Sequence, residues 1–118
     1  MNPRRVHSLV LKHYPQIDLV KCEWIHLFRH GVVDRDLLRK MLSTIGADDF
    51  VIHVHRKVGD LLPMEPALDF IAENVGKGYI RIADRAFTGF VFIGNNGVAA
   101  TWPRCLTRSQ IELPGNRK

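Results

Sequence analysis

Cysteine is nearly absent from this sequence: Cys22 and Cys105 stand far apart, with no CxxC pair to join. That scarcity excludes a disulfide-dense secreted scaffold and a cysteine-rich zinc module, and it leads to the expectation that both remain unbridged thiols in a reducing compartment. Long apolar runs are missing as well. None approaches the ~20 residues that cross a bilayer, and the opening MNPRRVHSLVLKHYP lacks the apolar stretch and cleavage site of a secretory signal, so a soluble, cytoplasmic protein with no membrane partner is expected. Glycine supplies neither a GxGxxG fingerprint nor a GxxxxGK[ST] loop, which disfavours nucleotide cofactors. Ser8, Ser43 and Ser109 lack a GxSxG elbow, leaving covalent catalysis without a candidate.

Repeats, low-complexity tracts and Ser/Gly linkers are also lacking, and 118 residues that are 46% hydrophobic suit one core and one domain, 1–118, with flexible ends at about 1–15 and 104–118. The net charge of +5 sits at those ends. Residues 1–14 carry +3 through Arg4, Arg5 and Lys12, residues 103–118 carry another +3, and the remaining 88 residues sum to −1. Basic ends on a near-neutral body favour weak, salt-sensitive attraction to phosphates over a specific site, so a nucleic-acid partner is disfavoured.

Hydrophobic spacing gives the elements. Residues 4–14 read as a short helix or a loose arm, ended by Pro15. Residues 19–29 fit two periods, and the quick stop at Gly31 favours a strand buried on both faces over a helix carrying Val20, Trp24, Leu27 and Phe28. Asp34 is a good N-cap for a helix with Leu37, Leu38, Met41, Leu42 and Ile45 on one face and Gly46 at its end. Phe50, Ile52 and Val54 alternate with Val51, His53 and His55 as a strand, and RKVGD after it reads as a turn or loop. A second helix from near Pro66 presents Leu68, Ile71, Ala72 and Val75, with Phe70 at its margin. Strands over 79–83, 87–94 and 98–102 follow, the last two joined by a two-residue hairpin at Asn96-Gly97. Phe90 and Phe92 alternate with Val91 and Ile93, which makes the middle strand central. The expected fold is α+β: a mixed sheet in the order β-α-β-α-β-β-β, with a C-terminal antiparallel meander packed on two main helices. The end beyond Pro114 reads as a frayed tail.

Few side chains suggest chemistry. His53 and His55, two apart on a strand, point to one side and could ligate a metal or act as an acid and base with Arg56 or Lys57, as in a metal-independent ribonuclease. A half-exposed strand face explains the same pair more simply. Zinc would need further ligands from Cys22, His26 and His30, which follow no recognised spacing, and no metal or cofactor is expected. Asp69 and Glu73 share a helix face, but solvation, or pairing of Glu73 with Lys77, accounts for them. Tyr79, Phe87, Phe90, Phe92 and Trp102 near Arg81 and Arg85 suggest a base-stacking sheet, although the phenylalanines suit a core and no RNP-like consensus is present.

The segment from Glu23 to Trp102, through EWIHLF, DLLRKML and ALDFIAENVGKGYIRIADRAFTGFVFIGNNGVAATW, resembles the small immunity proteins of polymorphic toxins, including those of bacterial contact-dependent growth inhibition. It covers about two-thirds of the chain. The resemblance implies a cytosolic, non-enzymatic protein that binds one toxin domain and blocks its active site, with no small-molecule substrate. It assigns no contact residue, because such families vary most at that surface. Many nuclease immunity proteins are acidic, so the +5 charge here implies either an acidic toxin face or an interface of packed aromatics and arginine. The alternative is a small nucleic-acid-acting protein, an RNA binder or a histidine-dependent ribonuclease.

Overall fold

Tertiary pairing gathers six strands into one sheet, against which most of the buried apolar residues pack. The computed structural model describes residues 1–14 and 22–112. In chain order the elements are α1 (Pro3–His13), β1 (Ile25–His26), β2 (Phe28–Arg29), β3 (Val32–Val33), α2 (Arg35–Ser43), β4 (Asp49–His55), β5 (Val58–Pro63), α3 (Met64–Asn74), β6 (Ile80–Ala83), β7 (Phe90–Ile93), β8 (Val98–Trp102) and α4 (Arg108–Glu112). The main sheet runs β1-β8-β7-β6-β4-β5, and β2 with β3 forms a separate hairpin. The class is α+β, as expected.

One sheet face carries the main core. Leu37, Leu38, Met41 and Leu42 of α2 and Ala67, Leu68 and Ile71 of α3 bury against Phe50, Ile52, Ile80, Ile82, Val91 and Ile93. Each fully buried side chain of this kind contributes about 1.5–3 kcal/mol. The Asp34 carboxylate accepts from the Leu37 N–H and caps α2. Arg39 grips both Glu65 oxygens at 2.8 and 2.9 Å, and Arg35 meets Asp69, which ties α2 to α3. On the opposite face α1 lies mainly over the β4-β5 end, burying Val6 and Val10 against Val51. Gly59 makes that approach possible: a Cβ there would lie 2.9 Å from both the Ile52 carbonyl and Val6 Cγ1.

Several expectations need correction. All main-sheet pairings are antiparallel, so the sheet is not mixed. The reason is β5: only Arg56 and Lys57 form the turn in RKVGD, and Val58–Pro63 returns as an edge strand. Its inner Gly59 and Asp60 hide the strand pattern, while its terminal Pro63 suits an edge. The 19–29 strand is interrupted and buried on one side only. Ile25 and Leu27 are buried, whereas Trp24, His26 and Phe28 are exposed, and residues 19–21 lie outside the described residues. The β7-β8 loop places Asn95 and Asn96 at the turn centre and Gly97 after it at φ 83°, with Gly97 N donating to Gly94 O. It is thus a three-residue bulged hairpin, whose twist suits the strands as well as the two-residue form. Strand β7 starts at Phe90 rather than 87, because the Asp84 carboxylate accepts from Thr88 N, Thr88 Oγ1 and Gly89 N and bends 84–89 into a turn. The meander, the helix faces and the central place of β7 are as expected; the frayed tail expected beyond Pro114 lies outside the described residues.

The cysteines are the sharpest correction. Cys22 and Cys105 form a disulfide with Cα atoms 5.0 Å apart. Sequence distance concealed the pairing, since β1 beside β8 carries the two ends of the chain together.

Candidate functional site

The sheet face opposite the main core divides into two regions. Row by row across it, Trp24 precedes Ile25, which pairs with Ala99; Ala100 pairs with Phe92, Phe92 with Arg81, and Arg81 with His53. One surface therefore runs from an aromatic end, through arginine, to histidine.

At the aromatic end, Trp24 meets the Phe92 ring edge-on at 6.1 Å and Tyr79 stacks on the same ring at 5.6 Å. Trp24 is 41% exposed and Tyr79 56%, so among the described residues this cluster is an open apolar surface rather than a core. Phe28, also exposed, lies over Gly97 in the β7-β8 turn. The mounting is rigid. Glu23 accepts from Arg108 N at 3.1 Å, Cys22 is tied to Cys105, and Leu27 N donates to Gly97 O at 3.0 Å, so Trp24 is held from both sides. The loop that carries Cys105 is fixed in turn by buried Thr101, whose hydroxyl donates to Arg104 O and accepts from Leu106 N.

At the histidine end the pair expected from sequence is not the pair the fold makes. A register shift lies between His53 and His55; His53 is 5% exposed, while His55 is on the surface and accepts from Lys57 N at 3.2 Å. His53 Nε2 instead lies 3.0 Å from Nδ1 of His7 on α1, with the rings stacked. Burial, then Arg81, His7 and His55, push the His53 pKa down to about 4, so its ring is neutral at physiological pH. His53 Nδ1 has no partner among the described residues. Tyr14, whose phenol burial pushes up in pKa against the pull of Arg81, closes this region against Phe90. Beside His7, a cavity of about 770 Å³ is lined by Arg4, Ser8, Arg56 and Lys57.

The remaining candidates separate. His26 is exposed in β1, His30 occupies a turn at φ 54° and Cys22 is in the disulfide, so they do not converge with His53 and His55. No metal-ligating group of three assembles among the described residues. Asp69 faces Arg35 rather than a partner acid. Phe90 is core, and Phe87 adopts φ 56° in the turn. Arg85 pairs with Asp49, and its hydrogen bonds hold that carboxyl below the usual range. A second cavity, about 850 Å³, lies between the end of α2, β8 and α4, with a mixed lining that includes Thr44, Thr101 and Gln110. His7 was missed because nothing in the sequence shows which strand α1 crosses; of the aromatic cluster, the sequence links Tyr79 with Phe92 but favours Phe92 as core, and it does not connect Trp24 with them.

Among the described residues no helix is long and apolar enough to cross a membrane. No protein-family model, curated protein or solved structure matches the chain.

Proposed function

We propose that the chain is a non-enzymatic binding protein, a toxin-neutralising immunity protein that docks on a cognate toxin domain and covers its active site. The observation that carries the reading is the Trp24-Phe92-Tyr79 surface: exposed Trp24 and Tyr79 flank half-buried Phe92 on a rigid sheet, tied down by β1 and the disulfide. Tryptophan and tyrosine dominate the energetic centres of protein interfaces, and a mount fixed before binding lowers the entropy lost on association. A basic immunity protein then works through packed aromatics, with electrostatic steering a lesser contributor.

The encounter is placed in the cytoplasm, as the resemblance implies. There the Cys22–Cys105 bond must persist against a reducing thiol pool, aided by burial of the Cys22 sulfur. The test is co-purification of the tagged protein with the product of the gene immediately upstream, at low and high salt. A one-to-one complex that survives high salt, weakened at least about tenfold by Trp24→Ala or Tyr79→Ala, is the expected result. Elution of nucleic acid with no protein partner would sink the reading in favour of the RNA-binding alternative, for which the same aromatics would stack bases.

A further inference from the structure

The cavity beside His7 gathers cations that form no ion pair among the described residues. Arg4, His7 and Ser8 lie on one face of α1, three and four residues apart, and look across to Arg56 and Lys57, the two turn residues of the β4-β5 hairpin. None of Arg4, Arg56 and Lys57 has a salt bridge among the described residues, and no carboxylate lines the cavity. The nearby acid Asp60 is engaged by the N-terminal ammonium at 3.2 Å. Like charges collected in one concavity repel one another, and an anion placed among them removes that cost.

We propose that this cavity binds a phosphate group. Arginine presents a planar fork that suits phosphate oxygens in a bidentate manner, lysine adds a mobile point charge, and the Ser8 hydroxyl supplies a further donor. The geometry is built rather than incidental. Val6 seats against Gly59, where no side chain fits, so α1 is fixed over the hairpin and Arg4 and His7 with it. The turn is fixed in its own right by the Lys57 N–H donating to His55 Nδ1. Behind the cavity, His53 engages Nδ1 of His7. In the tautomer where His53 Nε2–H donates, His7 keeps its proton on Nε2, the one polar ring atom left to offer a ligand. The cavity thus presents three cationic side chains and the Ser8 hydroxyl, with no carboxylate to oppose an anion.

The phosphate could belong to a diester backbone or to a terminal monoester, and one titration separates them. Backbone amide NMR spectra of the full chain are recorded against sodium phosphate, with sodium chloride of matched ionic strength as the control. An oligoribonucleotide with and without a 5′-phosphate is added in parallel. Saturable shifts confined to residues 2–8 and 55–58 are expected with phosphate but not with chloride. Lys57→Gln should weaken binding about tenfold and Arg4→Gln with Lys57→Gln about a hundredfold. Both positions are exposed, so the variants fold. A response to both oligonucleotides assigns the backbone, and a response to the phosphorylated one alone assigns a monoester; either supports the site. Shifts that chloride reproduces, or that the double variant retains, overturn it. The result is independent of toxin binding, which is read at the aromatic end.

Discussion

Reducing the Cys22–Cys105 bond should lower stability by a definable amount. The crosslink spans a separation of 83 residues, and the loop-closure entropy removed from the unfolded chain corresponds to about 4.5 kcal/mol at 25 °C. Native bonds commonly deliver about 2–4 kcal/mol, because the unfolded chain is not fully random. For a domain of this size each kcal/mol moves the melting temperature by roughly 4–5 °C, so a fall of about 8–20 °C is expected. The assay is a thermal melt of protein refolded under oxidising conditions, with and without a phosphine reductant, alongside Cys105→Ser. Intact mass after alkylation confirms the redox state. The same treatment should loosen Trp24, whose neighbour Cys22 loses its anchor, and weaken partner binding more than the melt alone predicts. Coincident melts for the two redox states, or two alkylated thiols in the oxidised sample, would refute the reasoning.

His53 gives a pH-dependent stability with a definite sign. Its folded pKa, about 4, lies below the unfolded value near 6.5, so the unfolded chain binds more protons between them. The contribution is complete above pH 6.5 and is lost as pH falls towards 4. The full shift corresponds to about 3 kcal/mol, and solvent reaching the rim of the histidine pair reduces the expected loss to about 1–2 kcal/mol. Urea melts at pH 7 and pH 4.5 of wild type and His53→Gln check it: the variant should show the smaller pH difference, and equal differences would assign the acid sensitivity elsewhere. Gly97→Ala should destabilise by about 1–3 kcal/mol, because φ 83° disfavours a side chain and the new Cβ meets the Phe28 ring. Pairing it with Phe28→Ala should recover the steric part, and a double variant no more stable than Gly97→Ala would deny the contact.

What could be read from sequence follows from how far each interaction reaches. The α2 and α3 faces, β4 and the meander are written in spacings of two to four residues, and Asp34 and Gly46 punctuate them locally. Strand β5 was hidden because Gly59 and Asp60 break its alternation, and Gly59 is there for the sake of Val6, 53 residues earlier. The 19–29 segment showed two periods because it serves two sheets, breaking at Leu27 between β1 and β2. The disulfide and the His7–His53 pair join residues 83 and 46 positions apart, and no local pattern could announce either. The candidate sites lay beyond the sequence for the same reason: each is a meeting of distant elements.

Strand β1 contributes only two paired residues, yet it occupies one border of the main sheet. Every other strand junction in that sheet can form from Asp49 onward, so the five strands β4 to β8 are able to assemble before the N-terminal arm arrives. Until it does, β8 displays backbone donors and acceptors that another chain's strand could complete. The short strand and the bond behind it thus act as a latch over the edge of β8, guarding against strand exchange between molecules.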